Sequence, residues 1–361
     1  MTAEGPDLHV VLPGGVDDPR APSGGNAYDR RVCEELPAHG WRLHRHVLAG
    51  AWPRPGSTAT AALERVLAGL PDGAVVLVDG LVGCGVPEVV VPAARRLRLA
   101  VLVHLPLADE TGLDAVEAAE LDRREREVLD AAAAVVVTGP WAARRLAGRA
   151  AVHVVEPGVD AAPLSPGRGD GSGLLCLASV TRRKAQDVLV RALAEVADRT
   201  FDCVLAGPRP DPAFDAELTA LIERVGLTGR VRLVGPLAGA ELDAAWAATD
   251  LAVLVSWAET YGMVVTEALA RGVPVLVSDA GALPETLGRA PDGSLPGVVV
   301  PAGEVGPLAA ALARWFDRAG FRAQVHGSAR ERRCILSGWA DTARHLHAVL
   351  DGMRRRPVAI P

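Results

Sequence analysis

Short apolar runs alternate along the chain with Gly, Pro and Ser loops and with stretches whose apolar positions recur at helical spacing. In the first half the runs are 8–12, 75–78, 100–103, 135–137 and 152–155. In the second they are 174–177, 203–205, 231–234, 251–255, 273–277 and 298–300. An unbroken apolar run of this length reads as a strand buried on both faces. Strand–helix alternation then predicts doubly wound parallel sheets. Between the two sets, 164–173 reads Leu-Ser-Pro-Gly-Arg-Gly-Asp-Gly-Ser-Gly, which by composition predicts a flexible linker. The expected architecture is α/β: two Rossmann-like doubly wound domains facing a cleft. They occupy 1–165 and 166–338, and a last helix within 339–361 is free to cross back to the first. A chain of 361 residues suits two domains.

Composition works by exclusion. Aromatic residues make up 4%, too few for a nucleic-acid stacking surface, and the net charge of −6 argues against a general polyanion binder. Cys33, Cys84, Cys176, Cys203 and Cys334 are scattered, with no C-x-x-C pair, so reduced thiols and a cytoplasmic setting are expected. The first residues lack a basic-then-apolar signal, and no apolar run nears the ~20 residues that span a bilayer. Arg95, Arg96, Arg98 and Arg354 to Arg356 leave peripheral contact with anionic lipid open, although solvated helix faces are the commoner cause of such clusters.

The densest chemistry lies in 251–267. The apolar strand runs into a loop with Glu259, turns at Gly262 and enters a helix carrying Glu267. Backbone N–H groups of Tyr261, Gly262, Met263 and Val264 are the expected unpaired donors of that helix start, an anion site at the carboxyl end of a strand. Two carboxylates beside an anion site suit a diphosphate with a hydroxyl-rich group at each end, because ionised carboxylates only accept hydrogen bonds and sugar hydroxyls donate them. A nucleotide-sugar has that form. Of 38 basic residues Lys184 is the one lysine. It follows the 174–177 strand at a helix start. A lysine kept against so many arginines points to a need for a compact ammonium with rotatable donors rather than a planar fork, and phosphate coordination is one such need.

These residues resemble the family-four retaining glycosyltransferases, whose fold is the two-lobed GT-B type. The resemblance covers nearly the whole chain and is strongest at 174–285, around the Glu259 and Glu267 pair with seven residues between. It implies that Glu259 holds hydroxyls of the transferred sugar, that Glu267 holds the ribose and that Lys184 sits on the diphosphate. The family's arginine five residues before that lysine is here Ser179, which leaves Arg182 or Arg183 to replace its charge. Gly24 and Gly25 in Pro-Ser-Gly-Gly-Asn resemble the family's glycine loop and would approach the diphosphate closely. His104, in His-Leu-Pro after a strand, would contact donor sugar or acceptor. Gly207-Pro208 and Gly235-Pro236-Leu237 resemble loops that cradle the nucleoside. Pro157-Gly158-Val159-Asp160 resembles the turn before the interdomain linker.

The activity so implied is metal-independent transfer of a hexose, with retention, from a nucleoside diphosphate sugar to a small-molecule or lipid-linked hydroxyl acceptor. The sugar donor is a substrate, and no separate cofactor or metal is expected. His44-x-His46, on a predicted strand, and His345-x-His347, on a predicted helix, lack a Cys or carboxylate at ligand spacing. Leu12-Pro13-Gly14-Gly15-Val16 does not supply the G-x-G-x-x-G of a dinucleotide oxidoreductase. A non-hydrolysing nucleotide-sugar epimerase and a nucleotide-sugar-binding protein without transferase activity remain the alternatives.

Overall fold

A computed structural model of the chain describes residues 5–19, 22–148 and 151–355; Arg356 lies outside them. The chain divides into two compact units. The first comprises 5–19, Gly24–Gly158 and 338–355; the second comprises 22–23 and Val159–Ser337.

The first unit holds a sheet of six parallel strands: β1 (Asp7–Pro13), β2 (Arg42–Leu48), β3 (Val75–Asp79), β4 (Arg98–Val103), β5 (Ala134–Val137) and β6 (Val152–Val154). Their order is β2-β1-β3-β4-β5-β6. The second unit holds β7 (Gly173–Leu177), β8 (Asp202–Ala206), β9 (Val231–Gly235), β10 (Leu251–Leu254), β11 (Val275–Ser278) and β12 (Gly297–Val300). Here the order is β12-β11-β10-β7-β8-β9, again all parallel. Read from the middle outward, this is the doubly wound dinucleotide-fold order, and the first sheet has the flavodoxin-like order.

The unbroken apolar runs follow from burial on two faces. Along β10 and β11, Leu251, Val253 and Leu276 enter one core cluster, while Ala252, Leu254, Val275 and Val277 enter another on the opposite face. Each fully buried leucine, such as Leu189 or Leu276, contributes about 2 kcal/mol. The final helix, Trp339–Arg355, packs within the first unit: Trp339 meets Tyr28 edge-on at 5.9 Å, and Thr342 donates to the Glu156 carbonyl at 2.9 Å.

The expected flexible linker at 164–173 is a pinned loop inside the second unit. Asp250, 2% exposed, accepts from the N–H groups of Arg168, Gly169 and Gly173 at 2.9, 3.0 and 2.9 Å. Gly167, Gly169 and Gly171 take φ of 60°, 82° and 86°, so the glycines supply left-handed turns around a carboxylate rather than slack. The division between units falls instead at Gly158/Val159 and again at Ser337/Gly338.

Candidate active site

In the second sheet the strand order reverses between β7 and β10. Connections leaving these two strands diverge, and their carboxyl ends are where open parallel sheets bind ligands. Lys184 comes from the β7 side, in the turn Arg182–Lys184, which passes through a left-handed Ala185 (φ 52°) into helix Gln186–Glu195. Glu259 comes from the β10 side, ahead of helix Met263–Ala270.

There the two meet. Lys184 Nζ donates to Glu259 Oε1, which also accepts from Ser256 Oγ at 2.9 Å. Arg183 Nη1 lies 3.5 Å from Glu259 Oε2 and donates to the Ala258 carbonyl at 3.1 Å. The Trp257 N–H returns a hydrogen bond to the Arg183 carbonyl at 2.8 Å, which ties the loops together. Burial by itself raises the Glu259 pKa, but Lys184, Arg183 and the Ser256 hydroxyl outweigh it and hold the carboxyl below its ordinary value. Glu259 is therefore an anion at neutral pH. Gly281 (φ 57°) lies against the Glu259 backbone so closely that a Cβ would be driven into its carbonyl oxygen.

Of the two arginines available in place of Ser179, the structure brings in Arg183. Arg182 turns outward to exposed Glu217 at 2.7 Å and lies over the Phe214 ring. Ser179 contributes its carbonyl, which accepts from Gln186 Nε2 at 2.8 Å.

Helix Met263–Ala270 starts from Gly262 at φ 84° with no side chain capping it, so the N–H groups of Met263 and Val264 face its mouth. The Tyr261 carbonyl accepts from Thr286 Oγ1 at 2.6 Å. Glu267 lies half-buried one turn into the helix. Burial raises its pKa, and nearby Asp160 adds to the rise against Arg271. Arg271 gives its hydrogen bond to the Glu267 carbonyl at 3.0 Å rather than to the carboxylate.

Gly207 donates to the Gly235 carbonyl at 2.8 Å and packs against the Ala178 and Ser179 backbone where no Cβ fits, joining the loops after β7, β8 and β9. Leu237 packs its side chain on the core and lines a cavity of about 260 Å³ with Arg168, Asp202, Arg232 and Thr249. That cavity runs toward the amino ends of β7 and β8, and neither Lys184 nor Glu259 lines it.

The first unit has its own polar cluster at carboxyl ends, beside the β1/β3 reversal. His104, after β4, places Nε2 3.0 Å from Asp29 Oδ1 and 3.8 Å from Asp79 Oδ2. Asp79 ends β3 and its Oδ1 accepts from the Leu81 N–H at 2.6 Å. Asp29 lies in helix Gly24–Glu35. Donor atoms of the three lie within 4.8 Å of one another, and they are hydrogen-bonded inside the cluster. Gly24 and Gly25 open that helix, and a Cβ on Gly25 would sit 3.2 Å from the His104 ring. The glycine thus allows close approach to an imidazole.

Sequence reasoning missed Ser256 and Asp29 and left Asp79 unassigned. Asp79 had a signal, since it ends an apolar run at a strand's carboxyl end. Asp29 had none: Tyr28-Asp29-Arg30-Arg31 reads as solvated helix. His44 does have a carboxylate neighbour, Asp7 on the adjacent strand at 2.6 Å, and His46 hydrogen-bonds His9 at 3.1 Å. Spacing within one strand could not show either.

Residues 171–318 match the family described as Glycosyl transferases group 1. Among relatives, the chain is 32% identical over 211 residues to D-inositol 3-phosphate glycosyltransferase of Salinispora arenicola, covering 52% of this chain and 46% of that one. With the protein of the same name from Kineococcus radiotolerans it shares 32% over 271 residues, 67% of this chain and 61% of the other. The matches therefore span about half to three-fifths of those relatives' lengths. Among solved structures, sucrose-phosphate synthase of Thermosynechococcus elongatus superposes with a TM-score of 0.76 at 20% identity, over 96% of this chain and 98% of that one. Anabaena HepE in complex with UDP-glucose gives 0.74 at 17%, over 95% and 99%.

The fold is of the GT-B type, with two Rossmann-like units. Its second unit carries a glycosyl transferases group 1 domain, the one that holds Lys184, Glu259 and Glu267.

Proposed function

We propose that this protein transfers a hexose from a nucleoside diphosphate sugar to a hydroxyl acceptor, with retention and without a metal ion. One observation carries the reading. Lys184 and Glu259, from opposite sides of the β7/β10 reversal, meet in a partly buried ion pair beside the uncapped start of helix Met263–Ala270.

An ammonium has three donors. With one on Glu259, two remain for diphosphate oxygens, and the Met263 and Val264 N–H groups add neutral donors at the helix mouth. As the anomeric carbon–oxygen bond stretches, charge collects on the departing diphosphate, and these fixed donors stabilise it; each is worth about 3 kcal/mol in such a site. Glu259, ionised and held by Lys184 and Ser256, accepts from hydroxyls of the sugar. Glu267 accepts from the ribose. The departing phosphate takes the acceptor's proton. Five free thiols and the lack, among the described residues, of a helix long and apolar enough to cross a membrane fit a cytoplasmic enzyme.

UDP-glucose is the first donor to try, because HepE is seen with it, and an inositol phosphate the first acceptor, from the relatives' names. Thermal shift with UDP, GDP and ADP sugars tests binding, since ligand at 100 times its Kd stabilises by about 2.7 kcal/mol. Nucleotide release with and without acceptor tests transfer. Conversion of the donor alone into another nucleotide-sugar would establish an epimerase instead; binding with neither outcome would leave a binding protein.

A further inference from the structure

We propose that Asp29 and Asp79 are a positioning pair for His104: Asp29 fixes the imidazole through Nε2–H, and Asp79 is a carboxylic acid that shares its proton with Asp29. The buried pair then carries one shared proton and one negative charge, set against the His104 imidazole.

Three observations lead there. Asp29 and Asp79 are 1% and 4% exposed, and two ionised carboxylates this close and this dry repel each other. Asp29 Oδ2 is buried with no hydrogen-bond partner, which a proton on Asp79 would supply. His104 is clamped as well, with Gly25 against its ring and Tyr28 edge-on at 5.3 Å. The direction of titration agrees. Burial and the Asp29 charge push Asp79 up to about 8. For His104, burial lowers the pKa, but the charge and hydrogen bond of Asp29 lead the groups that more than reverse it, and it ends above its ordinary value. The other titratable groups facing Asp29 are Tyr28 and Cys33 on its own helix and Arg45 on β2, and burial drives both Tyr28 and Cys33 further into their neutral forms. His104 therefore meets whatever binds beside it with its ring orientation and its Nε2–H fixed. Its use on a sugar or acceptor rests on the function proposed above; the protonation pattern does not.

The test is an NMR pH titration of protein labelled at histidine. His104→Gln assigns the His104 signal among the nine histidines. The wild-type signal is expected to titrate above 6.5. Asp79→Asn, which imitates the neutral acid, should leave the midpoint within about 0.3 unit, whereas Asp29→Asn should lower it by about one unit or more. Nucleotide release from UDP-glucose should follow, with the acid-to-neutral plateau shortened in Asp29→Asn alone. Equal shifts in the two variants, or a wild-type midpoint at or below 6.5, overturn the proposal. If Asp29→Asn does not fold, the wild-type and Asp79→Asn midpoints still decide. If the asymmetry appears but no nucleotide-sugar reacts, the function fails and this inference stands.

Discussion

Lys184 and Glu259, 75 positions apart in sequence, form one ion pair with side chains 15% and 8% exposed. A charge so buried is costly once its partner is removed, by about 3 kcal/mol in comparable pairs. Lys184→Met should therefore lower stability by about that amount in urea unfolding, and Lys184→Met with Glu259→Gln should cost less than the sum of the two single changes. Turnover of a nucleotide-sugar should fall at least tenfold in Lys184→Ala (~1.4 kcal/mol). Lys184→Arg should not restore it, because a planar fork cannot replace a compact ammonium between Glu259 and phosphate. Near-wild-type kinetics in both variants would refute the assignment of this pair.

Arg183 and Arg182 are adjacent in sequence and opposite in role. Arg183 reaches the Glu259 cluster, while Arg182 rests on exposed Glu217. Calorimetry with UDP should show Arg183→Ala weakening binding about tenfold, near the ~1.4 kcal/mol of one charge-assisted contact. Arg182→Ala should stay within about twofold, as expected for an exposed pair. The reverse order would show that the outward arginine swings in to bind.

Glu267 should trade stability for function. Its folded pKa is raised, so the folded state binds a proton more tightly than the unfolded chain does. The sign follows: stability from this group is present below the ordinary value of 4.5 and is lost as pH rises through the folded pKa. Glu267→Gln should melt higher than wild type at pH 7, with the gain vanishing near pH 4. Its turnover should drop at least tenfold. A variant that melts lower at pH 7 would contradict this.

Asp250→Asn should be among the most damaging single-atom changes in the second unit. The carboxylate accepts from three backbone N–H groups. An amide nitrogen in place of either oxygen faces those donors and leaves at least one of them unsatisfied, at about 2 kcal/mol. Equilibrium unfolding measures the loss, and a change below about 0.5 kcal/mol would mean that the 164–173 loop is held by other means.

Strand positions were readable because both faces of these sheets are covered, which turns a weak alternating pattern into unbroken apolar runs. β2 is the exception. Its Arg-Leu-His-Arg-His-Val-Leu sits at a sheet edge with half-exposed faces, and only its histidines suggested a strand. The glycine-rich 164–173 stretch misled because composition does not separate slack from left-handed turns; Asp250, distant in sequence, decides. Lys184 and Glu259 were legible as the lone lysine and as half of a spaced pair after a buried strand. Asp29 was not, because a helical Asp beside arginines looks solvated until the fold sets it against His104. Choosing Arg183 over Arg182 likewise required knowing which way each side chain leaves its turn.

The reversal of strand order has a consequence for how this grip is assembled. Strands β7 to β9 contribute the ammonium, and β10 to β12 contribute its counter-ion, so neither run of chain holds the complete ion pair by itself. A fragment cut before Leu251 would present a cation with nothing to aim it. If the proposed function holds, affinity for a nucleoside diphosphate will report that both runs have closed into one sheet.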